Sequence, residues 1–176
     1  MTKSALRPRR CSPTAQARMP SQGGNDQSPD RNRSARRRTG VPTSTALSQA
    51  AAFHGHLGPW LVLGLQAGTY ARKKLVGSPF ELNARVFCPA GTPYTCFVDG
   101  IQFSSGCTMG KGNISHHRAA GCRVEFTRKG RRGRMRLAVR PEIWDELHAR
   151  PSSGMAGAAR LGREFARRRL EELFSE

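Results

Sequence analysis

The sequence lacks three features that would each indicate a class of protein: long apolar runs, paired cysteines and a balancing number of acidic side chains. A helix that crosses a bilayer needs about 20 mostly apolar residues. Since no such run is present, we expect a cytoplasmic protein that makes no membrane contact. The cysteines include no Cys-x-x-Cys pair, which argues against a disulfide framework and against a four-cysteine zinc site. They are Cys11, Cys88, Cys96, Cys107 and Cys122.

Positive charge is the strongest compositional feature. The 176 residues include 30 Lys and Arg against 12 Asp and Glu, a formal net charge of +18. Residues 1–42 combine many arginines with Ser, Pro, Gly and Gln and have few large apolar side chains. Such a composition buries too little surface to offset the entropy of ordering. We therefore predict a disordered tail over 1–42 and a folded core domain over 43–176. The charge also predicts weak, sequence-independent attraction to nucleic acid.

The core sequence changes from helical patterns to strand patterns and back. Helices are predicted over 46–53 and 60–75. Short runs of β-branched, aromatic and Cys residues predict strands over 84–88, 94–98, 122–127 and 135–139. A helix that opens at Pro141 and a last helix over 156–174 follow. This order predicts an α+β fold, in which N-terminal helices pack on an antiparallel sheet and C-terminal helices follow.

The second predicted helix has two glycines, Gly64 and Gly68, four residues apart. Residues at this spacing lie on one side of a helix. Without side chains they present a flat strip that another backbone can approach closely. We expect tight packing on the sheet at this strip.

Two segments far apart in the sequence contain the side chains best suited to chemistry. The first places His54 and His56 on either side of Gly55, whose backbone freedom lets both imidazoles turn toward one site. The second, 99–113, places Cys107 in a glycine-rich loop. Imidazole nitrogen and thiolate sulfur are preferred ligands of zinc, and they are also the partners in cysteine-based nucleophilic catalysis. If the fold brings the two segments together, they form a reactive site.

These segments resemble the core domain of the FmdE family of formylmethanofuran dehydrogenase subunits. The resemblance rests on Phe-His-Gly-His at 53–56, Asp-Gly-Ile-Gln at 99–102 and Gly-Cys-Thr-Met-Gly-Lys-Gly-Asn at 106–113. It implies a metal-binding protein that acts on or binds a small molecule in a one-carbon or redox context. It also implies a tightly intertwined homodimer and an oxidoreductase complex as a partner. The C-terminal zinc-finger module of larger relatives is not expected, because no cysteine follows Cys122.

On the basis of this resemblance, we predict that His56 and Cys107 bind a divalent metal, for which zinc is the first candidate. His54 or Asp99 would assist, and water or substrate would fill the open positions, as in catalytic zinc sites. Asp99 has the alternative role of orienting a histidine through a hydrogen bond. The resulting protein would be a metal-dependent enzyme or an accessory subunit of an oxidoreductase.

The loop around Cys107 has a second predicted role, in binding a cofactor or an anionic group. Its turns expose backbone N–H groups, and Lys111 adds a positive charge. The residues predicted to bind are Gly106, Gly110, Gly112 and Asn113. In a metal-free alternative, Cys107 is the nucleophile, a histidine such as His54 is its base, and Lys111 binds the anion. A third alternative is a basic nucleic-acid-binding or regulatory module with no catalytic activity.

Three other cysteines and two other histidines are predicted to have no chemical role. Cys88, Cys96 and Cys122 lie in strand patterns and are interpreted as small buried apolar residues. His116 and His117 follow the glycine-rich loop and are predicted to lie on the surface.

Overall fold

The structure, a computed structural model, describes residues 41–75, 78, 80–130, 132–150 and 153–176. The predicted tail, 1–42, lies outside this part of the chain except for Val41 and Pro42. The described part begins with helices, continues into a sheet and returns to helices before a final short strand.

The first two helices have clear local causes. α1 (Ser44–His54) begins where Thr43 Oγ1 accepts a hydrogen bond from the Ala46 N–H at 3.1 Å. It ends at Gly55, whose φ of 96° lies in the left-handed region that favours glycine. α2 (Pro59–Leu75) starts with a proline, which has no N–H to leave unpaired in the first turn. The first ten residues of α2 are all buried, so it is the central helix of the core.

α3 (Cys96–Ser105) replaces the strand predicted over 94–98. Phe97 and Ile101 lie four residues apart and are both fully buried, so one face of a helix covers the core here. Tertiary packing thus overrides the local preference of β-branched and aromatic residues for strands. Gly106, with a φ of 70°, ends the helix.

α2 and α3 pack backbone against backbone at their glycines. A Cβ atom on Gly64 would collide with the carbonyl oxygen of Phe97, and one on Gly100 would collide with the carbonyl oxygen of Leu61. Gly68 is equally close to the last turn of α3. The flat strip on α2 is therefore a close-packing surface, as expected, but it packs against α3 and not against the sheet. This contact fixes the first turn of α3 relative to the start of α2.

The sheet has five strands in the order β2-β1-β3-β4-β5. They are β1 (Leu82–Cys88), β2 (Ile114–Arg118), β3 (Arg123–Arg128), β4 (Arg134–Val139) and β5 (Phe174–Ser175). The predicted α+β class is confirmed, but the sheet is mixed: three neighbouring pairs are antiparallel, whereas β1 and β2 run parallel. Sequence patterning misses β2, because Ile114 is its one buried residue.

The C-terminal helices complete the same core. They are α4 (Pro141–Ala149), α5 (Gly154–Phe165) and α6 (Leu170–Leu173). The single helix predicted over 156–174 is broken after α5, and Phe174 instead pairs with Val139 in the sheet. Leu161 and Phe165 of α5 are buried, and α5 packs on α2. Within the described ranges, no helix has the length and apolar character needed to cross a membrane.

Candidate metal centre

Three side chains from two segments of the chain meet where α1 ends and α3 begins. The ligand atoms of His54, His56 and Cys96 lie within 4.8 Å of one another. His54 is the last residue of α1, and the turn at Gly55 places the His56 ring beside it, with ring centroids 4.6 Å apart. Cys96 is the first residue of α3 and is buried. Across the described residues, this is the one group of three or more His, Cys, Asp or Glu side chains that could hold a metal ion.

His54 is oriented by a carboxylate and presents an unpaired nitrogen to this group. Its Nδ1 lies 2.7 Å from Asp99 Oδ2 and donates a proton there. Gln102 Nε2 donates to the other oxygen of Asp99 at 3.3 Å. Nε2, the other ring nitrogen of His54, is buried without a hydrogen-bond partner. A histidine held by a carboxylate, with its second nitrogen available, is the common arrangement of a metal ligand.

The protonation states of the other two donors follow from their burial. Burial, and then the neighbouring His54, lower the pKa of His56, so its ring is neutral at pH 7. Burial, and then the charge of Asp99, raise the pKa of Cys96. The position of Cys96 in the first turn of α3 favours a thiolate, but burial outweighs that effect. His56 is thus ready to bind a cation, whereas Cys96 would release a proton on binding.

His56 and Cys96 form one end of a cavity of about 330 Å³. The rest of its wall is mainly apolar and aromatic and comes from α2, α4, α5 and the loop before α3. On that wall, the Tyr94 O–H donates to His148 Nε2 at 2.9 Å, and His148 Nδ1 donates to the carbonyl oxygen of Trp144 at 2.6 Å. A ligand in the cavity would therefore meet His56 and Cys96 at one end and an ordered Tyr94–His148 pair along the wall.

Cys107 lies beyond the opposite end of α3 from Cys96. The helix has 10 residues, which at about 1.5 Å each separates its ends by roughly 15 Å. Cys107 is fully buried, and its thiol donates to the carbonyl oxygen of Leu82 at 3.4 Å. Burial raises the pKa of Cys107, against smaller opposing effects of Ser105 and Lys111. The structure does not bring Cys107 to either histidine. Cys96 instead occupies the position beside the histidines that we expected for Cys107.

The loop that follows α3 is held by its own polar side chains. Asn113 Oδ1 accepts from the Thr108 N–H, and its Nδ2 donates to the carbonyl oxygen of Leu82, both at 2.9 Å. Lys111 Nζ lies 5.2 Å from the centroid of the Phe80 ring. Of the described residues that line the cavity, none comes from this loop. A role in cofactor binding stays a prediction for Gly106, Gly110, Gly112 and Asn113.

Sequence reasoning misses Cys96, Tyr94 and His148. Cys96 was open to detection, because it precedes Asp99 by three positions, a spacing that places two side chains on one face of a helix. The interpretation of 94–98 as a strand conceals this. No local sequence pattern indicates that Tyr94 and His148 form a pair, because only the packing of α4 beside the loop before α3 brings them together.

Comparison with known families gives a match, which spans the candidate metal centre. The model of the FmdE family, described as "FmdE, Molybdenum formylmethanofuran dehydrogenase operon", matches residues 53–175. The chain therefore belongs to this family, which confirms the resemblance seen in the sequence. No curated protein matches the chain.

Proposed function

We propose that this member of the FmdE family binds one divalent metal ion through His54, His56 and Cys96, and binds a small molecule in the adjoining cavity. The observation that carries this proposal is the buried Nε2 of His54. That atom has no hydrogen-bond partner and faces two other donors. A buried polar atom with no partner is costly, and a metal ion would satisfy it.

Zinc is the metal that this donor set favours. Two imidazoles and one thiolate suit zinc, and three protein ligands leave a fourth position open, as in catalytic rather than structural zinc sites. A zinc ion so held would polarise a bound oxygen or lower the pKa of a bound water. Asp99 would keep His54 in the ligating tautomer, and Gln102 would keep Asp99 in place.

The cavity indicates what kind of small molecule would bind. At about 330 Å³, it lies near the lower end of ligand pockets, which span about 300–1,000 Å³. Trp60, Leu147 and Leu161 favour an apolar body, while Tyr94 and His148 offer one hydrogen-bonding position. The family description names a formylmethanofuran dehydrogenase operon. We therefore propose that this protein acts as an accessory protein of an oxidoreductase.

A homodimer remains proposed from the family resemblance alone. Apolar residues on the last helix and glycines that allow close backbone contact would also suit a dimer interface. Both features are used within one chain, because α5 packs on α2 and the glycines of α2 receive α3. Light scattering on the full chain tests the dimer, since the mass of one chain at micromolar concentration would contradict it.

The metal-free nucleophile is less well supported. Cys107 is buried, its pKa is raised, and its thiol bonds to a backbone carbonyl rather than to a histidine. Cys96 does lie beside the histidines, but burial raises its pKa too. A thiol kept protonated is a poor nucleophile.

The nucleic-acid alternative has one specific observation in its favour, the basic outer face of the sheet. Arg85 and Arg123 flank Phe87 there, and both guanidinium groups lie over its ring. The Phe87 ring also stacks on His117, at a centroid distance of 5.0 Å. Since Arg123 and His117 already cover this ring, it offers little surface for base stacking. We expect phosphate contacts alone, which physiological salt would weaken strongly.

Metal analysis of the full chain, purified without added metal, tests the main proposal. We expect about one zinc ion per chain, coordinated as in three-ligand sites, and loss of that metal in His56→Ala and Cys96→Ser. Cys107→Ser is the matched control, because it removes a buried thiol at the other end of α3. A Cys96→Ser variant that retains metal while Cys107→Ser loses it would contradict the proposal.

A further inference from the structure

A second pair of cysteines lies at the end of β1, outside the candidate metal centre. Cys88 is the last residue of β1, and Cys122 directly precedes β3. The antiparallel register ends with Phe87 opposite Arg123, so Cys88 and Cys122 are the next facing pair. Both side chains are buried. Facing residues of antiparallel strands have Cα atoms about 4.5–5.5 Å apart, within the range that a disulfide spans.

The two thiols differ in their surroundings. The Cys122 thiol donates a hydrogen bond to the Cys88 sulfur, which lowers the pKa of Cys88 against the opposing effect of burial. His116 adds to this effect, with its Nε2 3.2 Å from Cys88 Sγ. The same hydrogen bond and burial raise the pKa of Cys122. Cys88 is thus the member inclined to be a thiolate, and Cys122 is the member that keeps its proton.

Cys122 gives the pair access to small reagents. It lines a cavity of about 340 Å³ between the β3–β4 end of the sheet and the start of α4. The cavity is bordered by Gly121 and Val139 and by Trp144, the residue that also stacks on Tyr94 near the metal centre. A molecule as small as hydrogen peroxide fits there beside Cys122, the residue that faces Cys88.

We infer that Cys88 and Cys122 form a reversible intramolecular disulfide when the protein meets hydrogen peroxide. The Cys88 thiolate attacks one peroxide oxygen, so that an S–O bond forms, the O–O bond breaks, and the departing hydroxide leaves as water after taking a proton. Cys122 sulfur then attacks the Cys88 sulfenic acid; the S–S bond forms, the S–O bond breaks, and a second water leaves with the thiol proton. Two thiols are oxidised by two electrons in total, and one peroxide is reduced to two waters.

Cys88 and Cys122 are not part of a second candidate metal site. In the described part of the chain, the His, Cys, Asp and Glu side chains that could hold a metal ion as a group of three are His54, His56 and Cys96, and Cys88, Cys122 and His116 do not form such a group. Cys107 differs again, because its thiol bonds to a backbone carbonyl rather than to a second thiol. The dithiol arrangement belongs to Cys88 and Cys122.

Peptide mapping of the full, metal-loaded chain tests this inference. Trypsin alone is insufficient, since Cys88, Cys96 and Cys107 share one peptide with no internal Lys or Arg. Added chymotryptic cleavage after Tyr94 and Phe97 separates them. After peroxide treatment and alkylation without reductant, we expect a cross-linked species joining the Cys88 and Cys122 peptides, and its loss after dithiothreitol.

The variants give a second, independent readout. In Cys122→Ser the Cys88 sulfenic acid has no partner, so dimedone should label Cys88, whereas the parent protein should label weakly there. Cys107→Ser should form the cross-link as the parent does. A wild-type chain in which Cys88 and Cys122 stay reduced under peroxide, or in which Cys88 links to another cysteine, would overturn the inference. So would a Cys122→Ser variant in which Cys88 is not labelled.

Discussion

The two ends of α3 each place a buried cysteine beside polar groups, but those groups differ. At the first end, Cys96 faces two imidazoles, and a carboxylate one turn further on orients one of them. At the second end, Cys107 faces a backbone carbonyl and the Ser105 hydroxyl within a glycine-rich loop. The first end contains a buried nitrogen, His54 Nε2, that lacks a hydrogen-bond partner, whereas Cys107 and Asn113 at the second end form hydrogen bonds within the chain. We infer that the glycine-rich loop fastens α3 to β1, and that the chemistry lies at the other end of the helix.

The contact between α2 and α3 should give the largest effect on stability when it is broken. Gly100→Ala adds a Cβ against the backbone of Leu61 and Leu65. Alanine gains up to about 1 kcal/mol of helix propensity over glycine, but forcing two backbones apart costs more. We therefore expect a net loss of at least about 2 kcal/mol in the free energy of unfolding, measured by urea denaturation.

Gly110→Ala is the matched control at the other end of α3. A Cβ there would meet nothing within 4 Å, so the free energy of unfolding should change by less than about 0.5 kcal/mol. Equal stability of the two variants would mean that close packing of α2 and α3 does not hold the first end together.

The carboxylate at the first end should give the next largest effect. Asp99→Asn removes the charge that holds the proton on His54 Nδ1. Loss of such an orienting partner lowers metal affinity by about 10- to 100-fold, which competition with a chromophoric chelator would measure. Lys111→Gln, at the second end, should leave the affinity unchanged, and the opposite ranking would place the metal at the glycine-rich loop.

The contrast between the two ends of α3 also shows which parts of the fold and of the candidate site could be predicted from the sequence. His54 and His56 were predictable as a pair, because a glycine between two histidines allows both rings to face one site. The ends of α1 and α2, and strands β1, β3 and β4, follow from caps, proline and period-two alternation. Cys96 was missed because the run Tyr94 to Val98 has strand composition, and this run becomes helical only through burial of Phe97 and Ile101.

Cys107 illustrates the converse difficulty. Glycines near a cysteine suggest exposed backbone N–H groups and a reactive thiol. In this chain, Gly106 and Gly112 instead allow the left-handed turns that end α3 and the following 3-10 helix, with φ of 70° and 63°. Asn113 then bonds across the loop to Leu82. Composition alone does not distinguish a loop built for ligand binding from one built for its own hydrogen bonds.

Thiol alkylation should distinguish Cys96 from Cys107 by the effect of metal on the alkylation rate, which we expect to be smaller than the effects above. Burial raises the pKa of both above the ordinary value of 9.0, so each stays protonated at pH 7 and reacts faster only as the pH rises toward the alkaline range. A bound metal should protect Cys96 until a chelator is added and should leave the rate at Cys107 unchanged. Rapid iodoacetamide labelling of Cys107 near pH 6 would instead support the metal-free nucleophile.

The smallest expected effect concerns the ion pairs beside the cavity at the first end. Arg150, which lines the cavity, and Arg168 both bond to Glu146 and Glu164. Hydrogen bonding by Arg150 is the main cause that lowers the pKa of Glu164 from 4.5 to about 2; burial opposes it, and hydrogen bonding by Arg168 adds a smaller lowering effect. Because the folded pKa is depressed, this pair contributes stability above pH 4.5, and the contribution fades as the pH falls toward 2. Because the side chains of Arg150 and Glu164 are 46% and 42% exposed, solvent screening keeps this contribution small.

Glu164→Gln should therefore lower the melting temperature slightly at pH 7, and the difference from the parent should shrink as the pH is brought to 3. Asp145→Asn, a change at an exposed carboxylate of α4, is the control, and all three proteins are measured with a chelator present so that metal release does not contribute. A Glu164→Gln difference that grows in acid would mean that folding raises the pKa of Glu164 rather than lowering it, contrary to the effect of its two arginine partners. A difference that stays constant would assign the effect of Glu164 to packing rather than to charge.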